Sequence, residues 1–330
     1  MSHGNISVFV PHIGCPNKCS FCNQNTITGE KFSPTKEGVV KAVQTAASHP
    51  NYNPQNTELA FFGGSFTAIE KSYMCELLNA GYEFVKSGVI SGIRISTRPD
   101  AITPEILDIL KEKGVTAIEL GCQSLDDEVL KLNHRGHTVK DVENASALIK
   151  QYGFSLGHQM MTGLLGDTDE KSIATAKKII KLGADTVRIY PTLLLKDTYL
   201  YSLYKKGEYK PQSLEDATEI VSQLLMIFEE SNVNVIRVGL HTVEVDGFVS
   251  GPWHPAFGEL AKSKVLLKKV LKIIKDKNIP KGNIEISLPK SKVSAMIGQK
   301  RCNVLTLEKM GYNAKIIIGE NDMEIKNITS

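Results

Sequence analysis

Apolar and polar positions along this chain follow two periods that take turns. Short β-branched and aromatic runs recur at residues 6–10, 58–62, 93–97, 116–120, 155–161 and 186–190, and each predicts a buried strand. Helix-length amphipathic stretches lie between them, among them 104–113 and 139–151. Thr103 precedes the first as an N-cap, with Pro104 at the first helical position. Residues 214–230 continue the series as a helix and 234–238 as a strand. Such alternation predicts a parallel sheet joined by right-handed crossovers. Periodicity leaves open whether the sheet closes into a barrel. Polar residues gather just past the strands, where α/β barrels and open α/β sheets keep their chemistry.

The alternation weakens at residues 249–254, and Gly251, Pro252 and Pro255 interrupt it. The predicted organisation is a large α/β domain over residues 1–250 and a small α/β extension over 251–330. Charge divides at the same place. The extension holds 15 Lys and Arg against 7 Asp and Glu, a charge of +8, which leaves −5 for the first 250 residues. A basic extension invites an anionic partner, although a solvated lysine-rich surface is the simpler account of charge alone. No stretch approaches the ~18 apolar residues of a membrane span. The N-terminus carries no basic segment followed by a long apolar run, so the cytoplasm is the expected location and no membrane partner is expected.

Six cysteines are present, and three of them, Cys15, Cys19 and Cys22, fall within eight residues. A disulfide framework would be dispersed through a short secreted chain, so this grouping predicts a metal site in a reducing compartment. The spacing is C-x3-C-x2-C in a loop flanked by Gly14 and Pro16, with Phe21 directly before the last cysteine. Three thiolates this close can ligate three irons of a cubane and leave the fourth iron open for a ligand. His12 precedes Cys15 by three residues, so a Cys3His zinc site, and with it a zinc-stabilised nucleic-acid-binding module, is the competing reading. A further strand ends in Phe62-Gly63-Gly64-Ser65-Phe66-Thr67, where two glycines let the backbone approach a ligand. Ser96-Thr97-Arg98-Pro99-Asp100, Gly121-Cys122-Gln123-Ser124 and Asn133-His134-Arg135-Gly136-His137-Thr138 follow other strands. Ser124, Asp126 and Thr138 read as helix caps. Arg135 offers a fork of donors suited to a carboxylate, and Gln123 offers both donor and acceptor.

With these residues in order, the chain resembles the radical S-adenosylmethionine superfamily, whose signature is C-x3-C-x-aromatic-C after the first strand of a partial (β/α)6 TIM-type barrel. The resemblance implies that fold, a 4Fe–4S cluster on Cys15, Cys19 and Cys22, and S-adenosylmethionine as second cofactor. It implies reductive cleavage to methionine and a 5′-deoxyadenosyl radical that abstracts a substrate hydrogen, with no catalytic residue beyond the cluster. It further implies an electron donor such as ferredoxin or flavodoxin. Cofactor contacts carried over are Phe21, the Gly63, Gly64 and Ser65 turn, Ser96, Gln123 and Arg135. Ser-Thr-Arg-Pro-Asp, Gly-Cys-Gln-Ser and Arg-Gly-His-Thr narrow the resemblance over residues 5–195 to the radical domain of the Elongator catalytic subunit. A looser one extends to oxygen-independent coproporphyrinogen oxidase. Where that family often reads Gly-Leu-Pro-Gly, this chain has Gly163-Leu164-Leu165-Gly166, and either His158 or Gln159 could make the polar contact before it. The 80 residues after 250 are fewer than an acetyltransferase domain needs, so the complete Elongator reaction is not expected.

In the extension, residues 262–277 carry seven lysines interleaved with apolar residues, an amphipathic helix expected to pack on the barrel. Residues 285–288 and 314–318 read as strands and 303–310 as a helix. The basic loop Ile297-Gly298-Gln299-Lys300-Arg301 faintly resembles a KH-type RNA-binding element, with Arg301 where that element has its second glycine. The resemblances together make tRNA the expected substrate. A small-molecule radical enzyme of the coproporphyrinogen oxidase kind, capped by the extension, is the alternative.

Overall fold

The computed structural model describes residues 4–10, 15, 19–23, 33–240, 247–320 and 322–328. Strands β1 (Gly4–Val10), β2 (Thr57–Gly63), β3 (Gly92–Thr97), β4 (Val115–Gln123), β5 (Ser155–Thr162) and β6 (Thr186–Pro191) form in sequence order. A short β7 (Leu194–Leu195) intervenes before β8 (Asn234–Val238) and pairs with β9 (Phe248–Ser250). The main sheet runs β1-β2-β3-β4-β5-β6-β8, and every neighbouring pair in it is parallel. It curls into a half-barrel with β1 and β8 as its two edges. All seven strands lie where the hydrophobic runs predict them.

Alternation along each strand divides its side chains between two environments. On β1, Ile6, Val8 and Val10 are buried outward, while Asn5, Ser7 and Phe9 face the lumen. Outward residues of β2 to β4 pack against the helices Lys36–Ala47, Lys71–Lys86, Pro104–Glu112 and Val139–Gln151 in one core, and a second core joins β5, β6 and the helices Asp169–Lys181 and Leu214–Glu230. Thr103 and Thr138 cap their helices, the latter in a reciprocal box with Asp141. Asp126 caps Asp127–Leu132, and the Ser124 hydroxyl accepts from the Asp126 amide, so these polar residues serve the backbone.

The extension has its own sheet. Strand β10 (Gly282–Leu288) lies between parallel β11 (Tyr312–Ile318) and antiparallel β12 (Glu324–Asn327). Two helices, Lys290–Ile297 and Cys302–Lys309, connect β10 to β11 through the turn Gly298–Arg301. Lys300 and Arg301 hold φ values of +52° and +62°, so Arg301 adopts the left-handed backbone that a glycine would take there. The helix Phe257–Asp276 departs from the expectation that its stripe packs on the barrel. Phe257 and Ala261 join the barrel core, whereas Leu266, Val270 and Ile274 cover the small sheet, whose apolar face needs a partner. Of its lysines, Lys264 and Lys268 pair with Glu219, and Lys269 pairs with Glu229 of the barrel helix Leu214–Glu230.

His158 sits on the outward face of β5, 1% exposed, with Nε2 3.0 Å from the Ser146 hydroxyl and Nδ1 without a partner. Burial lowers its pKa from the usual 6.5 to about 4. Between those values the unfolded chain binds a proton that the folded chain excludes, so stability falls as pH drops through that window. Urea midpoints should therefore decline from pH 7 to 5, by up to ~1.4 kcal/mol per pH unit for this group. His158→Gln should show a shallower decline. Equal slopes in the two proteins would contradict the assignment.

Candidate functional site

The C-terminal ends of the strands surround a cavity of about 950 Å³ that continues into the lumen. Cys15, Cys19 and Cys22 line its upper part together with Phe21, Gly63, Gly64, Ser65, Ser96, Gln123 and Arg135. The structure thus brings all ten sequence-predicted site residues to one cavity. His12 lies outside the described residues. Among the described residues no three His, Cys, Asp or Glu side chains converge closely enough for a single metal ion. Thiols spread over the corners of a cubane need no such convergence.

The cysteine loop is held from behind by Asn133, a residue the sequence reading did not single out. Its amide is fully buried. Its Oδ1 accepts from the Ser20 hydroxyl at 2.6 Å and the Leu165 amide at 3.3 Å, while Nδ2 donates to the Val129 and Leu165 carbonyls at 2.8 and 2.9 Å. The Ser20 amide donates to the Asn133 carbonyl and the Leu200 amide to the Ser20 carbonyl. Ser20, between two of the cysteines, is therefore fixed in position.

Around the sulfurs, Arg135 donates to Cys19 Sγ at 3.1 Å and to the Gly121 carbonyl at 2.6 Å. The Arg fork predicted to meet a carboxylate already holds a sulfur. Burial and the neighbouring Cys19 push the Cys15 thiol up, against the opposing pull of Arg98, Arg135 and a hydrogen bond from the Ser65 amide. Burial and the other two sulfurs push Cys22 up to about 12, with Arg135 opposing. Cys15 and Cys22 are thus both held towards the protonated thiol. Gly63 holds φ +106°, and a Cβ there would lie 2.7 Å from the Val10 carbonyl oxygen, so only glycine passes β1 so closely. Gly64 donates its amide to that same oxygen. The Ser65 hydroxyl lies 3.0 Å from Thr97 Oγ1 and accepts from the Arg98 amide, which ties two strand ends together. Gln123, at φ +62°, closes β4 beside Arg135.

Below the cysteines the lumen is charged. Glu119, 1% exposed, accepts from Arg188 at 2.6 and 2.9 Å and from Arg94 at 3.3 Å. Arg94 also bonds Glu58 at 2.8 Å. Gln159 donates to Ser96 and to Glu119, at 3.0 and 2.9 Å. Of the two candidates on β5, Gln159 faces the cavity and His158 faces away. Arg188 lies over the Phe62 ring at 4.7 Å. The sequence reading missed this network; its one signal was a single charged residue inside each of β3, β4 and β6.

The model of the Radical SAM superfamily matches residues 9–179. The chain belongs to the radical S-adenosylmethionine superfamily. It is therefore an enzyme whose family works with a 4Fe–4S cluster and S-adenosylmethionine. A Radical_SAM C-terminal domain matches residues 184–268. The chain is 26% identical over 256 residues to a tRNA uridine(34) acetyltransferase of Dehalococcoides mccartyi, covering 66% of this chain and 55% of that protein. It is 30% identical over 254 residues to Elongator complex protein 3 of Homo sapiens, covering 68% and 46%. It thus spans about half the length of these curated relatives. The Elp3 of Methanocaldococcus infernus lacking residues 1–46 has the same fold, with a TM-score of 0.64 at 24% identity, over 85% of this chain and 65% of that one.

Asn133→Ala removes four side-chain hydrogen bonds, two of them fully buried, and frees the cysteine loop. The expected loss is about 2–4 kcal/mol of stability by urea unfolding. Reconstituted iron should fall with it, and full iron retention would show that the loop does not depend on this amide.

Proposed function

We propose that Cys15, Cys19 and Cys22 ligate three irons of the 4Fe–4S cluster, and that S-adenosylmethionine occupies the cavity against Phe21, Gly63, Gly64, Ser65, Ser96, Gln123 and Arg135. The observation that carries this reading is the meeting of three thiols, a Gly-Gly turn and the Arg135 guanidinium at one cavity. The donor set fits the group. Burial and neighbouring sulfur raise the pKa of Cys15 and Cys22, which a cationic ligand would offset, and Arg135 opposes that rise at both. When bound, the reduced cluster supplies the electron that splits S-adenosylmethionine into methionine and a 5′-deoxyadenosyl radical, which takes a substrate hydrogen. Asn133 and Ser20 hold the ligand loop in register. Gly63 keeps the turn free of Cβ atoms, so the cofactor's polar groups can approach the backbone. Gln159 holds Ser96 and Glu119 in place at the level where the lumen begins.

The substrate we propose is tRNA, modified in the cytoplasm with electrons from a ferredoxin or flavodoxin. Three things support it: relatives named for a tRNA uridine and for Elongator, the +8 charge of residues 251–330, and the turn Gly298–Arg301. That turn presents Lys300 and Arg301 between two helices flanked by parallel strands, as a KH element presents the loop that clamps an RNA backbone. Residues 1–250 then carry the chemistry and 251–330 grip the phosphates. The lysines of Phe257–Asp276 that pair with barrel glutamates favour the rival reading, an extension that only caps a small-molecule enzyme.

Anaerobically reconstituted protein is expected to bind about four irons and four sulfides per chain and, once reduced, to form 5′-deoxyadenosine from S-adenosylmethionine. The Cys15, Cys19, Cys22 triple alanine variant should lose both properties, and Arg135→Ala should weaken cofactor binding. Colourless wild type holding one zinc would sink the assignment. In filter binding, tRNA affinity should fall at least tenfold between ~50 and ~200 mM salt, and Lys300→Ala with Arg301→Ala should lower it further. No binding at low salt, or no effect of the double variant, would favour the small-molecule reading.

A further inference from the structure

Among the described residues, the lumen below the cysteines holds one cation more than its carboxylates answer. Arg94 and Arg188 are matched by Glu58 and Glu119. Arg237 lines the same cavity, and among the described residues it meets no carboxylate. Its Nε donates to the Gly239 carbonyl at 3.1 Å, which leaves the two terminal nitrogens of the fork uncommitted among the described residues. It stands on β8 directly across from Arg188 on β6, at the open edge of the half-barrel. Burial and the charge of Arg188 lower its pKa, against the opposing effect of Tyr190. Below this pair, Thr186 and Asn234 share a register position and line the same cavity, and the buried Thr186 hydroxyl has no partner among the described residues. Across the gap, Phe9 is 40% exposed, 6.5 Å from Phe62.

A half-buried guanidinium beside a second one is costly unless an anion completes it. We propose that the lumen at Arg237, floored by Thr186 and Asn234 and walled by Tyr190, binds an oxyanion of the substrate, a phosphate or a carboxylate. The fork of Arg237 suits either group bidentately. Held there, the substrate is anchored at the gap between β8 and β1 and reaches up the lumen towards the cysteines. This inference names a substrate feature for the cavity assigned above and rests on that assignment.

The test is the thermal midpoint of the reconstituted enzyme titrated with inorganic phosphate or with sodium acetate, at ionic strength held constant with sodium chloride. A ligand that binds only the folded state raises the midpoint. A response to phosphate assigns a phosphate ester, a response to acetate assigns a carboxylate, and either supports the site. Arg237→Gln should weaken the response at least about tenfold, the worth of one charged hydrogen-bonding partner. Arg237→Lys should fall between the two. If Arg237→Gln shows no cooperative transition, Arg237→Lys carries the test alone. Lys177→Ala, at an exposed cation on the helix Asp169–Lys181, should respond as wild type does. No response to either anion, equal responses with and without Arg237, or a response lost in Lys177→Ala would overturn the proposal. Wild-type 5′-deoxyadenosine formation, measured alongside, reports on the cofactor assignment alone.

Discussion

A carboxylate buried in the middle of the half-barrel is the constraint on which the rest of the lumen depends. Glu119 is 1% exposed, and its two oxygens are shared by Arg188, Arg94 and Gln159, from β6, β3 and β5. Taking these ions out of water costs several kcal/mol each, and only matched geometry offsets it. The arrangement joins strands that are not neighbours in the sheet. It also explains why the interior is a cavity. A closed α/β barrel fills its centre with layers of aliphatic side chains. Here those positions hold Arg94, Ser96, Glu119, Gln159 and Arg188, whose hydrogen bonds leave a polar chamber about 950 Å³ in volume. Removing Glu119 alone would leave two guanidiniums facing one another in a low-dielectric space.

The upper end of the chamber poses the opposite electrostatic problem. Three sulfurs share a small, half-buried volume, and burial and sulfur neighbours raise the cost of ionising Cys15 and Cys22. Arg135, Arg98 and the Ser65 amide lower that cost without abolishing it. A metal cluster would complete the balance, because a thiol that coordinates a metal releases its proton to solvent. The same apparatus that makes Cys15 and Cys22 poor acids makes the site receptive to a cationic cofactor. Asn133 provides the mechanical counterpart by tying the ligand loop to two further loops through both ends of one amide.

The basic extension shows how formal charge can mislead when read without partners. Part of its excess is spent inside the molecule, where Lys264, Lys268 and Lys269 dock the helix Phe257–Asp276 onto the acidic helix Leu214–Glu230. The charge asymmetry along the chain is thus partly an internal adhesive between barrel and extension. Lys300 is an exposed cation, and Arg301 stands beside Glu308 at 3.7 Å.

The order of elements was legible in the sequence because each depends on a local period. All seven strands and the caps at Thr103 and Thr138 follow from spacing that neighbours along the chain impose. The cysteine motif, Gly63 and Arg135 were legible for a similar reason, since closely spaced thiols and a glycine pair are chemical signals in one dimension. Asn133, Glu119 and Arg237 were not. Their importance comes from what lies across the sheet, at separations of tens of residues to more than a hundred, and one polar residue in an apolar strand looks like another until its partners are known. The curl of the sheet decided that Gln159 faces the chamber and His158 the helix, because adjacent side chains on a strand must point to opposite sides. It also decided that the Arg135 fork reaches a cysteine sulfur 116 residues away. Local sequence carries the elements and their chemistry; which charges meet is a property of the closed fold, where burial makes every unmatched group costly.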